Sequence, residues 1–141
     1  MKRLTRIICL VMTFAMLLAI PAYAQEASSR ASNYFSAYRA YCTMTSSTQL
    51  TVSYNVIGAG PMDEIGVSQV KVQRSSDKTN WSTVKTFSKA NYPSMIDTDT
   101  GAHGGTLSCT VSSGYYYRAY VTFYAAKDGS FGQHYYYTGI I

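Results

Sequence analysis

Asp97-Thr98-Asp99-Thr100-Gly101 sets two carboxylates two positions apart ahead of a glycine, which is how an oxygen-rich loop for a hard cation such as Ca²⁺ begins. A complete loop adds a third acid and a closing bidentate Glu, whereas here Gly101 and Ala102 follow. The same Asp and Thr side chains serve a polar inter-strand loop by satisfying nearby amides. His103 comes next, and imidazole beside carboxylate suits a transition metal. The only other histidine, His134, lies far along the chain, so both are expected at the surface, with neither metal nor cofactor bound.

Hydrolysis needs a nucleophile with its base, or two carboxylates facing one bond. Beyond residue 24 there are two Glu, Glu26 and Glu64, the second beside Asp63. The G-x-S-x-G, H-E-x-x-H and phosphate-loop patterns are absent. The expectation is a protein that is not an enzyme.

The first residues read as an address. Lys2, Arg3 and Arg6 precede an apolar run from Ile7 to Ile20, and Ala22-Tyr23-Ala24 offers a small-residue cleavage site, so 1–24 is expected to be a signal peptide. The run falls short of the roughly 18 residues of a membrane span. The last residues, Tyr137 to Ile141, carry no sorting motif with an apolar anchor. A secreted, extracellular product without a membrane anchor follows, flexible over 25–33 and folded as one domain over 34–141.

Three of the twelve Lys and Arg lie in the leader, which leaves nine against seven Asp and Glu, a net +2. No basic cluster remains to neutralise a row of phosphates, so nucleic acid is not an expected partner. Removal of Cys9 with the leader leaves Cys42 and Cys109. An even pair in an oxidising compartment implies one disulfide, contributing about 4 kcal/mol in the chain-entropy picture. The competing reading, a catalytic thiol, would need His103 or His134 as its base.

Only 13% of the residues are charged, against about 25% in an average soluble domain, while 14% are aromatic, which suits a β-rich extracellular fold. Short alternating runs separated by turn residues predict strands over Tyr34–Thr45, Leu50–Val56, Ile65–Arg74, Trp81–Phe87, Leu107–Val111, Tyr115–Tyr124 and Tyr135–Ile140. Gly58-Ala59-Gly60-Pro61 reads as a breaker, 91–105 as a long loop, and Ala125–Gln133 as the last turn, around Asp128-Gly129. Val70, Val72, Val84, Leu107, Cys109 and Val111 are candidate core positions. The fold class expected is all-β, a sandwich of about seven strands.

Thirteen tyrosines follow the leader. If Tyr115, Tyr117, Ala119, Val121 and Phe123 face inward, then Tyr116, Tyr120 and Tyr124 share the opposite face, with Tyr136 placed beside them and Trp81 a further member. Rings in a row stack on sugars or anchor a protein partner. They also serve plain cross-strand pairing, since aromatic residues are strong strand formers.

Asp77 to Trp81 followed by Val84-Lys85-Thr86-Phe87, with the later Tyr115-Tyr116-Tyr117-Arg118-Ala119-Tyr120-Val121, resembles the third, fourth and sixth strands of fibronectin type III and related immunoglobulin-like domains. With Met62-Asp63-Glu64-Ile65-Gly66 and Asn80-Trp81, residues 30–141 are similar to a family of small secreted single-domain proteins of Gram-positive bacteria to which no activity is assigned. The Trp after the third strand and the cysteine pair depart from the fibronectin pattern. The resemblance implies an immunoglobulin-like or fibronectin type III-like β-sandwich. The function expected is an extracellular protein-interaction module, monomeric or weakly dimeric through open edge strands, with a carbohydrate-binding module as the alternative.

Overall fold

The computed structural model describes residues 33–141. The expected leader lies outside the described residues, as does the expected flexible start except for Asn33. Six strands follow in order: β1 (Phe35–Ser46), β2 (Gln49–Ser75), β3 (Ser82–Ser88), β4 (Ile96–Thr110), β5 (Tyr116–Lys127) and β6 (Ser130–Tyr137). Every pairing is antiparallel. A 3-10 turn at Pro93–Met95 is the one helical piece among the described residues.

The 27-residue β2 organises the sheet. Leu50, Val52, Tyr54 and Val56 bury one side of its first half, and Ile65, Val67, Val70 and Val72 bury one side of its second. The two strands expected here are therefore one, bent rather than broken at Gly58-Ala59-Gly60-Pro61. Along that stretch the pairing with β4 jumps from Ile57↔Ala102 to Met62↔Thr100, so the surplus residues of β2 bulge and the strand turns. The first half runs between β1 and β4. The second half pairs with β5 along one edge, and with β3 and the start of β4 along the other.

The bend curls the sheet until the inward face of β1 meets those of β5 and β6. Tyr38 of β1 packs its ring 5.1 Å from Phe123 and 6.4 Å from Tyr136, centroid to centroid. Its hydroxyl lies 2.8 Å from His134 Nε2, a hydrogen bond that closes the curl. His134 thus faces inward rather than outward as expected.

Residues 91–105, expected as a loop, supply the first ten residues of β4 from Ile96 onward. Asp and Gly, which make up half of those ten residues, are poor strand formers on their own. Here β2 imposes the conformation by offering its second edge, and glycine makes room for it: a Cβ on Gly105 would come within 2.6 Å of the Tyr54 hydroxyl. Among the expected core positions Val84 is instead exposed.

Cys42 and Cys109 are both free thiols, so the expected disulfide is not formed. Cys42 pairs with Val52 and Cys109 with Leu50, on opposite edges of β2. Two strand spacings of about 4.8 Å put their backbones roughly 10 Å apart, beyond the reach of an S–S bond. Burial pushes the Cys42 thiol above its ordinary pKa. Its Sγ lies 3.3 Å from the Thr138 hydroxyl.

The crossing from β4 to β5 is held by Tyr117. Its buried hydroxyl donates to the Ser112 carbonyl at 2.6 Å and accepts from the Ser112 N–H at 3.0 Å. Tyr117→Phe keeps the ring and strands both backbone groups, so urea denaturation is expected to show a loss of about 1–3 kcal/mol.

Candidate binding face

The alternation of β5 decides which rings are left outside. Tyr117, Ala119, Val121, Phe123 and Ala125 point into the core, and Tyr116, Arg118, Tyr120 and Tyr124 point out, with Thr122 buried in the same outward row. From Tyr116 to Tyr124 the outward row spans roughly 27 Å at strand rise.

β6 completes the face in a register set by its hairpin. Lys127 pairs with Ser130, leaving Asp128-Gly129 as a two-residue loop in which both residues have positive φ, 52° and 77°. That is the backbone of a primed hairpin turn, for which Asp-Gly is a preferred pair. Counting out from it, Tyr120 pairs with Tyr137, Thr122 with Tyr135 and Ala126 with Phe131. Tyr137 and Tyr135 stand outside, 53% and 58% exposed. Tyr136 pairs with Val121 and turns inward, its ring 6.3 Å from Phe123, which corrects its expected place on the face.

The outer rings touch one another. Tyr120 and Tyr135 lie nearly parallel, 6° between planes and 5.8 Å between centroids. Tyr120 and Tyr137 are 4.8 Å apart, and Tyr124 and Phe131 stack at 5.9 Å. Burial, with the Tyr135 and Tyr137 phenols alongside, pushes the Tyr120 hydroxyl above the ordinary tyrosine pKa. Cations cap the row: Lys78 Nζ sits 4.3 Å over the Tyr116 ring and Lys89 Nζ 3.9 Å over Tyr124. Lys89 also reaches Glu64 at 3.3 Å.

Trp81 joins from the turn between β2 and β3. Asp77 Oδ1 accepts from the Ser75 hydroxyl and the N–H groups of Thr79 and Asn80, and Oδ2 accepts from the Asn80 side-chain amide, all at 2.7–2.8 Å. These bonds, led by those of Asn80, hold the Asp77 carboxyl well below the usual range. They also support the left-handed Lys78, φ 61°, whose carbonyl accepts from Trp81 Nε1 at 3.2 Å. The indole is thereby laid over the Arg118 guanidinium, 4.2 Å from its carbon to the ring centroid.

Of the expected binding residues, Trp81, Tyr116, Tyr120 and Tyr124 belong to this face. Phe131, Tyr135 and Tyr137 were not expected in it, and Arg118, which the alternation also turns outward, was not expected as a binding residue. The two-residue Asp-Gly hairpin was the signal that places the three on β6.

The acid and histidine sites read from sequence do not gather a ligand set. Asp97 and Asp99 lie exposed on β4. His103 is mostly covered: Nε2 lies 3.1 Å from the Ser94 carbonyl and 3.5 Å from the Tyr54 hydroxyl, and Nδ1 lies 3.9 Å from Asp97. Among the described residues no group of three His, Cys, Asp or Glu comes together. A groove of about 560 Å³ opens between the unpaired edges of β3 and β4, lined by Phe87, Tyr92, Leu107 and Cys109 among others. Burial raises the Cys109 thiol, against the pull of Lys85, which keeps it protonated and a poor nucleophile at neutral pH. No protein family, no curated protein and no solved structure matches the chain.

Proposed function

We propose that this chain is an exported, non-enzymatic binding module that engages a protein partner through the outer face of β5 and β6. The observation that carries the reading is the continuous row Trp81, Arg118, Tyr137, Tyr120 and Tyr135, in which each member touches the next and the rings on β6 are more than half exposed. Large rigid rings with wet hydroxyls are the residue type that anchors partners at little cost in side-chain entropy. Export rests on the leader pattern of residues 1–24.

The finer fold reading is an immunoglobulin-like, fibronectin type III-like sandwich of seven strands with the two halves of β2 counted separately. It is supported by the pairing orders β1–β2–β4 and β3–β2–β5–β6, and by the Tyr117 hydroxyl returning to the backbone at the β4–β5 corner, as in such domains.

A second reading, a carbohydrate-binding module, is favoured by the exposed Tyr135 ring lying parallel to Tyr120, a surface on which a sugar can stack. The double variant Tyr135→Ala/Tyr137→Ala separates the two. Crosslinking at the surface of the producing cells, read by mass spectrometry, is expected to give a protein adduct with the wild-type chain and none with the variant. An adduct that persists in the variant overturns the face as the site. Saturable quenching of Trp81 fluorescence by a neutral polysaccharide, with no protein adduct, selects the sugar reading.

A further inference from the structure

We infer that Arg118 is the anion-recognition centre of this face, and that the partner presents an acidic, extended peptide segment to it. The inference rests on the reading of the face as a binding surface and names the chemistry of what binds.

Arg118 is held as a recognition group rather than a structural one. Trp81 covers one side of its guanidinium and Tyr137 lies against it as well, with ring centroids 4.2 and 4.4 Å from its carbon. Its Nε donates to Gln73 Oε1 at 2.8 Å. A guanidinium carries five N–H donors, so the four on its terminal nitrogens remain, at the edge of the plane. The ion pairs among the described residues are Lys89–Glu64 and His103–Asp97, and neither involves Arg118. A planar fork oriented by aromatic contacts and one hydrogen bond has given up much of its side-chain freedom before a ligand arrives, and its geometry matches a carboxylate.

The surrounding charge agrees. Lys71 stands on β2 opposite Tyr120, next along the outer face from Gln73, and Lys78 lies over Tyr116. Asp77, in the turn that carries Lys78 and Trp81, is already saturated with donors from that turn. The other described acids collect at the far end of β5: Glu64 pairs with Ala126 and with Thr98, Ile65 pairs with Asp97, and the Asp128 N–H donates to Asp63. Arg118 and Ala126 are separated by roughly 27 Å of strand.

A peptide fits better than a polysaccharide because of β6. Tyr137 belongs to this strand, whose backbone among the described residues pairs with β5 alone. Edge strands are ordinarily guarded by charge or proline. β1 carries Arg39, β3 carries Lys85 and β4 carries Asp97 and Asp99, whereas Ser130–Tyr137 has no charged residue and no proline. A peptide added along β6 pairs its backbone there and sends alternate side chains onto the face beside Tyr135 and Tyr137. Such a strand lies about 10 Å from β5, a gap that an Arg and a Glu side chain span together.

The test is calorimetric titration of the full chain with a ten-residue peptide of alternating Glu and Thr, its Gln-for-Glu counterpart, and polygalacturonate. The acidic peptide is expected to bind saturably and to perturb the fluorescence of Trp81, the single Trp of the chain. Its affinity is expected to fall about tenfold in about 0.5 M NaCl and by a similar factor in Arg118→Gln. Lys71→Gln, which leaves the stacked guanidinium in place, is expected to lose about threefold and keeps the proposal testable if Arg118→Gln fails to fold. Equal binding of the acidic and Gln peptides, equal binding by Arg118→Gln and wild type, no binding of the acidic peptide, or binding of polygalacturonate alone would each overturn the inference. If Arg118→Gln keeps the cell-surface adduct that Tyr135→Ala/Tyr137→Ala loses, the face stands and its acid specificity falls.

Discussion

Phe123→Ala is expected to remove about 3–5 kcal/mol of folding stability, a large share of the roughly 5–15 kcal/mol that holds a domain together. Phe123 is fully buried on the inward face of β5. It is also where the curl closes, because Tyr38 and Tyr136 both pack on its ring. Truncation leaves a cavity walled by strands that cannot collapse without shifting β1 against β6, where the Tyr38–His134 hydrogen bond resists the shift. Phe131→Ala on the outer face is the matched control: 62% exposed and stacked only on Tyr124, it is expected to cost under about 1 kcal/mol. Chemical denaturation of both variants is the measurement. Equal losses would mean that the inside and outside of β5 and β6 have been assigned the wrong way round.

Gly66→Ala is expected to cost about 2–6 kcal/mol, combining roughly 1–3 kcal/mol of backbone strain with roughly 1–3 kcal/mol of overpacking. Gly66 has φ +155°, where an L side chain is strained, and an added Cβ would fall 2.1 Å from the Met95 carbonyl oxygen. That oxygen is backbone in the turn that leads into β4, so relief means displacing the strand and the fully buried Met95 with it. Gly60, in the bend of the same strand, has nothing within 4 Å of its would-be Cβ. Gly60→Ala should therefore stay within about 0.5 kcal/mol. A thermal scan that finds the two variants alike would refute the close approach at Gly66.

The all-β class and most strand positions could be read directly, because alternation along Leu50–Val56 and Tyr115–Tyr124 is a local property of strands with one buried face. Tyr117, Ala119, Val121 and Phe123 on the inside and three outward tyrosines, Tyr116, Tyr120 and Tyr124, followed from that alternation alone, whereas Tyr115, expected inside, precedes β5 and is exposed. Alternation has a period of two, so it says nothing about a neighbouring strand until a turn sets the register. Treating Ala125–Gln133 as a nine-residue turn left β6 free to slip by one residue, which put Tyr136 outside and hid Tyr135 and Tyr137. Asp128-Gly129, taken as a two-residue hairpin, removes that freedom.

Other features had no local trace. Residues 96–105 adopt strand geometry because β2 has an edge to offer, and a long-range pairing of that kind leaves no pattern in a Gly- and Thr-rich segment. Two cysteines in a chain expected to be exported argue for a bridge by arithmetic alone, yet whether two Cα atoms come within about 7 Å depends on which strands stand between them, and here β2 does. The stacking of Arg118 with Trp81 and Tyr137 joins residues from three elements of the chain. Composition and alternation determined the kind of surface this protein builds. Which rings meet on it, and the cation they hold, was decided by tertiary pairing, since side chains distant in sequence become neighbours only when strand register brings them there.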